Sequence, residues 1–375
     1  MRIAINTRFL LTSKMEGFGW YTFEVVKRLV EKHPEHEFIF FFDRAYDRKF
    51  IFGANVTPVV LNPPARHPLL FYIWFEWSVR RALKKYKADV FFSPDGFLSL
   101  GSDIPQVGVI HDLNFEYYPE DIPWQPRVYL RWFFPKFAKK AQHLLTVSHY
   151  SKQDICTVYK VSEEKVTVGW NGASDAFSAL DAETIADVRR RYSNGKPYFI
   201  FVGALHPRKN VGRLLEAFQL FAQENDGIDL LIVGENLWKN KAISLPEMAE
   251  STRTRIHFTG HVPLTVLTQL TGAAHSLVYV PYFEGFGIPI AEALKCGIPV
   301  ISGNLTSLPE VAGDAALYCD PFSTEEIAEK MSELANDDSL YSELKVKALK
   351  RGKLFSWDTT AAVCWEVIER VAKKK

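Results

Sequence analysis

Two carboxylates frame the segment with the most chemical promise, Glu284-Gly285-Phe286-Gly287-Ile288-Pro289-Ile290-Ala291-Glu292. It follows the apolar run SLVYVPY (residues 276–282), so it reads strand, loop, helix. Pro289 suits a first helical turn, where its missing N–H costs nothing, and the glycines let backbone amides approach a ligand closely. The amides at Gly287 and Ile288, together with the positive end of the helix, favour a pyrophosphate. Glu284 in the loop and Glu292 in the first turns can then face one ligand, and carboxylates accept hydrogen bonds from sugar hydroxyls. An ordinary helix start with an acidic first turn would share much of this pattern, so the glycines alone decide little.

A second segment, Val202-Gly203-Ala204-Leu205-His206-Pro207-Arg208-Lys209-Asn210, is again a strand end leading into a helix. Arg208 offers a planar fork to phosphate oxygens and Lys209 a mobile point charge. A solvated basic loop is the common alternative, but the carboxyl end of a strand is where α/β proteins place their ligands. In the first half, His111-Asp112 closes the run QVGVIHD, and Glu16-Gly17-Phe18-Gly19 precedes a helix expected over 20–30.

These residues must be positioned by an α/β scaffold, because short apolar runs alternate with helix-length amphipathic segments throughout. Seven strands are expected in the first half, from RIAIN at Arg2 to KVTVGW at Lys165, and six in the second, from PYFIFVG at Pro197 to ALYCD at Ala316. The rhythm breaks at 171–179, which puts a domain boundary near residue 175. A chain of 375 residues exceeds what one core usually holds, so two domains are the natural prior.

Composition narrows the function. With 45 basic against 44 acidic residues the chain lacks the field of a general nucleic-acid binder. Cys156, Cys296, Cys319 and Cys364 are scattered, which suggests neither a zinc cluster nor a redox dithiol and fits a reducing cytoplasm. The opening run reads as a strand rather than a signal peptide, and the apolar run 69–79 is too short to span a bilayer. Residues 71–87 and 127–140 are both aromatic and basic, fitting either an aromatic core face with a solvated basic face or contact with anionic lipid or a lipid-phosphate acceptor.

The segment from Glu284 to Glu292 closely resembles the E-x7-E signature of the retaining glycosyltransferases of family 4, which have the GT-B fold. Phe258-Thr259-Gly260-His261-Val262-Pro263 and the run from Ser307 to Asp320-Pro321 resemble the same family. The resemblance implies two Rossmann-like domains with parallel sheets facing across a cleft: an acceptor domain over 1–175, a donor domain over 176–356, and a helix at about 357–373 that returns to the first domain. It implies that Glu284 and His111 are catalytic, that Gly285, Phe286 and His111 contact the transferred sugar, and that Glu292 and Val262 hold the nucleoside. Arg208, Lys209, Gly17, Gly19, Gly287 and Ile288 would bind the donor phosphates. Ser148 and Ser151 also resemble a family segment, and a helix N-cap explains them equally well.

The reaction expected from this resemblance moves a sugar from GDP-mannose or a UDP-sugar to a hydroxyl of a growing glycan or lipid-linked saccharide, with retention. No cofactor or metal is expected, the sequence having no D-x-D motif, and no nucleic acid is a partner. The enzyme is expected in the cytoplasm, at the inner face of the membrane. A non-catalytic sugar-nucleotide or glycan-binding protein and a GT-B-like epimerase or phosphorylase are the alternatives, since fold does not fix function. A dinucleotide-dependent oxidoreductase is disfavoured because no G-x-G-x-x-G follows the first strand.

Overall fold

The computed structural model describes residues 1–12, 15, 17–235 and 248–374. The chain divides into two compact units, one of Met1–Asn171 with Trp357–Lys375 and one of Gly172–Ser356. The division thus falls at Asn171–Gly172, slightly before the position the polar break indicated.

The first unit is built on seven parallel strands: β1 (Arg2–Asn6), β2 (Glu37–Phe42), β3 (Val56–Val60), β4 (Val90–Ser93), β5 (Gln106–Val109), β6 (His143–Thr146) and β7 (Val166–Val168). Their order is β3-β2-β1-β4-β5-β6-β7. Ile3 pairs with Phe38 on one side and Val90 on the other, so β1 marks the point where the winding reverses. The run Phe38–Phe42 is buried along its whole length, as expected of a strand covered on both faces.

The helix expected to start after the Gly17–Gly19 loop instead begins at Gly17 and runs to Lys32. Thr22 Oγ1 donates to the Phe18 carbonyl at 2.7 Å, which ties the first turn into the helix. A side chain at Gly19 would meet the Phe9 carbonyl oxygen at 2.8 Å, so glycine there serves close backbone approach within the helix. Glu16 lies outside the described residues.

The last helix, Trp357–Lys373, packs against this first helix. Its buried stripe of Ala361, Cys364, Val367, Ile368 and Val371 follows helical spacing. Cys364 Sγ lies 3.3 Å from the Tyr21 hydroxyl, Trp365 stacks on His33 at 3.5 Å, and Asp358 pairs with Lys32 at 2.5 Å.

The second unit carries six parallel strands: β8 (Tyr198–Val202), β9 (Asp229–Val233), β10 (Ile256–Gly260), β11 (Ser276–Tyr279), β12 (Val300–Gly303) and β13 (Ala316–Cys319). Their order is β10-β9-β8-β11-β12-β13. Here β8 is the reversal point, flanked by β9 and β11. Open α/β sheets hold ligands at such a point, beyond the carboxyl ends of the strands.

Candidate functional site

The loop after β8 is fixed by local bonds. His206 Nδ1 accepts from the Arg208 amide at 3.3 Å, capping the single turn Pro207–Lys209. Asn210 takes a left-handed conformation, φ 60°, that an asparagine tolerates, and its side-chain amide donates to the carbonyls of Val280 at 3.0 Å and Pro321 at 2.6 Å. The start of the helix Val211–Glu224 is thereby pinned against the segment that leaves β11, and Arg208 and Lys209 are aimed at one spot.

That spot is Glu284. Arg208 Nη1 donates to Glu284 Oε1 at 2.8 Å and to the Phe283 carbonyl at 3.1 Å. Lys209 Nζ donates to the same Oε1 and to the Tyr279 hydroxyl at 2.6 Å, while that hydroxyl donates to Oε1 at 3.1 Å. Burial raises the Glu284 pKa, but the charges of Arg208 and Lys209 and the hydrogen bonds from Lys209 and Tyr279 outweigh it and hold the carboxyl below its usual range. The carboxylate is therefore held in its ionised form between the two cationic side chains. Its backbone is fixed too: Ser307 Oγ donates to the Glu284 carbonyl at 2.9 Å.

Gly287 caps the helix Ile288–Lys295 with φ 98°, a value that favours glycine, and Pro289 occupies its first turn. Glu292 follows on this helix, half-buried, and burial alone pushes its carboxyl up to about 8. Burial and then the neighbouring Glu284 raise the Tyr279 phenol well above its ordinary pKa. The Phe286 side chain is buried edge-on against Phe355 at 5.8 Å.

Val262 lies just past β10, at the far edge of the same sheet, and is half-exposed. It shares the carboxyl end of the sheet with Arg208 and Glu284. In the first unit, Gly17 is exposed and Gly19 buried in the first turn of their helix. His111 lies beyond the end of β5 rather than within it, because Asp112 Oδ1 accepts from the Asn114 amide at 3.0 Å and turns the chain into a short helix. Its Nε2–H donates to the Pro94 carbonyl at 2.7 Å, and its ring packs edge-on to Phe18 and Tyr21. Burial lowers its pKa against the raising effects of the Pro94 carbonyl, Asp112 and Asp95, so the ring is neutral with Nδ1 left as acceptor. Ser148 is the N-cap of the helix His149–Tyr159, its Oγ accepting from the Ser151 amide at 3.0 Å.

Reasoning from the sequence missed Tyr279, Asn210 and Ser307. It also missed a second polar cluster at the reversal point of the first sheet. There Arg8 Nε donates to Asp95 Oδ2 at 2.7 Å, and Asn6 Nδ2 donates to Asp95 Oδ1 at 2.8 Å and Ser93 Oγ at 3.0 Å. The Arg8 guanidinium is enclosed by Phe9, Phe71, Phe75 and Phe97, 4.2 Å from the last. A polar residue soon after the first strand was the one available signal.

Comparison with known proteins bears on the whole chain. Residues 185–351 match the family model described as glycosyl transferases group 1, and residues 15–177 match glycosyltransferase family 4. The chain is 29% identical over 356 residues to O-antigen chain mannosyltransferase B of Escherichia coli, spanning 92% of this chain and 93% of that one. It is also 29% identical over 288 residues to O-antigen chain mannosyltransferase RfbU of Salmonella typhimurium, spanning 74% of each. Among solved structures, HepE of Anabaena in complex with UDP and glucose superposes with a TM-score of 0.76 at 17% identity, over 99% of this chain and 100% of that one. Sucrose-phosphate synthase of Thermosynechococcus elongatus gives 0.78 at 16% identity over the full length of both. At such identities the likeness is one of fold, and that fold is GT-B.

Proposed function

The chain belongs to the glycosyltransferases of group 1 and family 4, enzymes that move a sugar from a nucleotide-sugar donor, and from that premise we propose that it transfers mannose from GDP-mannose to a hydroxyl of a growing surface polysaccharide or lipid-linked saccharide, with retention. The names of two relatives similar along most of their length, both O-antigen mannosyltransferases, support the sugar and the acceptor class. A UDP-sugar is the competing donor. The work is done in the cytoplasm, at the inner face of the membrane where a lipid-linked acceptor would present itself.

The observation that carries the site is the cluster of Arg208, Lys209 and Glu284 at the reversal point of the second sheet. Two cationic side chains converge there, and amides at Gly287 and Ile288 lie at a helix start nearby in sequence. This is a site for the donor diphosphate, which needs no metal to meet its charge. In the reaction the anomeric carbon–phosphate oxygen bond breaks and a bond from the acceptor oxygen forms on the same face. The acceptor proton passes to the departing diphosphate. Arg208 and Lys209 stabilise the charge that develops there.

All three donors to Glu284 end on Oε1, so Oε2 is the oxygen that accepts from the transferred sugar and faces the positive charge developing at its ring. The backbones of Gly285 and Phe286 flank the sugar. Glu292, largely protonated at neutral pH, exchanges hydrogen bonds with the ribose hydroxyls, and Val262 borders the base. His111 offers Nδ1 to a sugar hydroxyl, and Gly17 and Gly19 belong with the phosphates. No cofactor is required.

Titration of free GDP into the Lys209→Ala variant tests the site. Affinity should fall at least roughly tenfold, about 1.4 kcal/mol, because a phosphate loses its nearest mobile cation. Unchanged affinity would move the phosphate site elsewhere. A thermal-shift series with GDP-mannose, UDP-glucose and UDP-GlcNAc decides the donor, the true one stabilising the fold most at equal concentration if affinities rank with use. Transfer in excess EDTA should continue; activity restored only by Mg²⁺ or Mn²⁺ would contradict the metal-free reading.

A further inference from the structure

Large apolar side chains stand in solvent on two neighbouring helical segments of the first unit. The first segment is continuous: an α-helix Pro68–Ile73, a π-helical turn Trp74–Val79 and an α-helix Arg80–Lys85. The second is the helix Trp124–Lys140. They lie side by side, with His67 Nε2 3.0 Å from Gln125 Oε1, Phe71 edge-on to Tyr129 at 5.6 Å and Tyr72 against Phe133 at 5.8 Å. Their inner faces fill the core with Trp74, Phe75, Val79, Phe134 and Phe137. That settles half of the alternative raised by the sequence: part of the aromatic content is core.

The rest is not. Trp77 is 58% exposed, Trp124 65% and Trp132 63%, with Leu69, Tyr72 and Val128 exposed beside them. Trp124, Val128 and Trp132 form one stripe at helical spacing. Single exposed apolar residues need no explanation, but a run of this size rimmed by polar groups marks a contact surface.

The rim is cationic. Segments 68–85 and 124–140 together hold nine Lys and Arg residues and one acid, in a chain whose net charge is only +1. That acid, Glu76, is turned inward to accept the amides of Leu100 and Gly101. From neighbouring elements, Glu116 pairs with Arg131 at 3.1 Å and Asp103 stands 4.0 Å from Lys84. Lys136 lies 4.0 Å over the Trp132 ring and Arg81 5.6 Å over Trp77. Tryptophan flanked by Lys and Arg suits the headgroup level of a bilayer, where the ring is half-buried and the cation meets anionic lipid. Among the described residues no helix is long and apolar enough to cross a membrane.

We propose that this face, with Trp77, Trp124 and Trp132 as its anchors and Arg81 and Lys136 beside them, docks the enzyme on a bilayer rich in anionic phospholipid. The proposal rests on the reading of a membrane-presented acceptor and gives it a surface.

Flotation of the full chain with phosphatidylcholine vesicles, with and without phosphatidylglycerol, tests it. The wild-type protein should float with the anionic vesicles and not the neutral ones, and added salt should weaken binding. Trp77→Ser, Trp124→Ser and Trp132→Ser together should reduce binding at least tenfold, and the pair Arg81→Glu and Lys136→Glu should do the same. Circular dichroism and GDP titration should match wild type in both variants, because the substituted side chains are exposed. Binding without preference for anionic lipid, or equal binding by the variants, would overturn the proposal. So would concentration-dependent self-association by light scattering that the tryptophan variant abolishes, since the face would then be an interface between copies. Loss of vesicle binding with GDP affinity intact keeps the donor site standing, whereas lost GDP affinity in the wild-type chain would sink that reading alone.

Discussion

The two sheets each place a polar cluster at the point where their winding reverses, yet the clusters are built to opposite ends. In the first unit, Arg8 meets Asp95 one to one, at 5% and 2% side-chain exposure, and four phenyl rings close over the guanidinium. In the second, two cations share the single carboxylate of Glu284, and Arg208 keeps 24% of its side chain in solvent. The first cluster is balanced and sealed. The second gathers two cations at a partly exposed spot that an arriving anion can reach. Topology therefore offers both positions, and the two cations and the exposure of the second set it apart as the one proposed to bind.

The largest effect expected from breaking this contrast is on stability. Asp95→Ala strands the Arg8 charge in an aromatic enclosure and should cost about 3–5 kcal/mol in denaturant unfolding, while GDP binding to whatever remains folded is unchanged. A loss below about 1 kcal/mol with GDP affinity reduced would instead make the first cluster a ligand site.

The next effect depends on pH. The Glu292 carboxyl is raised to about 8 in the folded chain, so the native state holds a proton that the unfolded chain releases near its ordinary carboxylate pKa of about 4.5. That group's contribution is unaffected below the unfolded pKa, and it destabilises progressively as pH rises from there to about 8. Relative to Glu292→Gln, wild-type stability should fall by up to about 1.4 kcal/mol per pH unit across that window. Parallel stability curves for the two proteins would show that Glu292 is solvated and ionised throughout.

A smaller effect separates Tyr279 from the charges it joins. Tyr279→Phe removes the acceptor for Lys209 and one donor to Glu284, and should cost about 0.5–1.5 kcal/mol of stability, with a modest drop in turnover because Lys209 and Glu284 lose their common partner. A turnover equal to wild type would make Tyr279 a packing residue only.

Much of this was legible in the sequence, for physical reasons that also explain what was not. Strands buried on both faces read as unbroken apolar runs, so EFIFFF and DLLIVG announced themselves. The chemistry of Glu284, Arg208 and Lys209 could be read from residue type and from their place after such runs. Their mutual bonding could not, because Arg208 and Glu284 meet across 76 positions only once β8 lies beside β11. The Arg8–Asp95 pair, 87 positions apart, was hidden for the same reason. Local competition accounts for the other departures. Gly17 and Gly19 looked like a loop, yet both lie in the helix, where the Phe9 carbonyl leaves no room for a side chain at Gly19.

Calorimetric titration of GDP into wild type and Glu284→Gln, with turnover of the same samples, tests the central claim most directly. Removing the carboxylate charge frees Arg208 and Lys209 for the diphosphate, so GDP should bind a few-fold more tightly, while turnover falls at least roughly tenfold because the charge facing the sugar ring in the transition state is gone. Weaker GDP binding in Glu284→Gln, or full turnover, would contradict the account of Glu284 as an anion that shares Arg208 and Lys209 with the diphosphate through Oε1 and faces the sugar through Oε2.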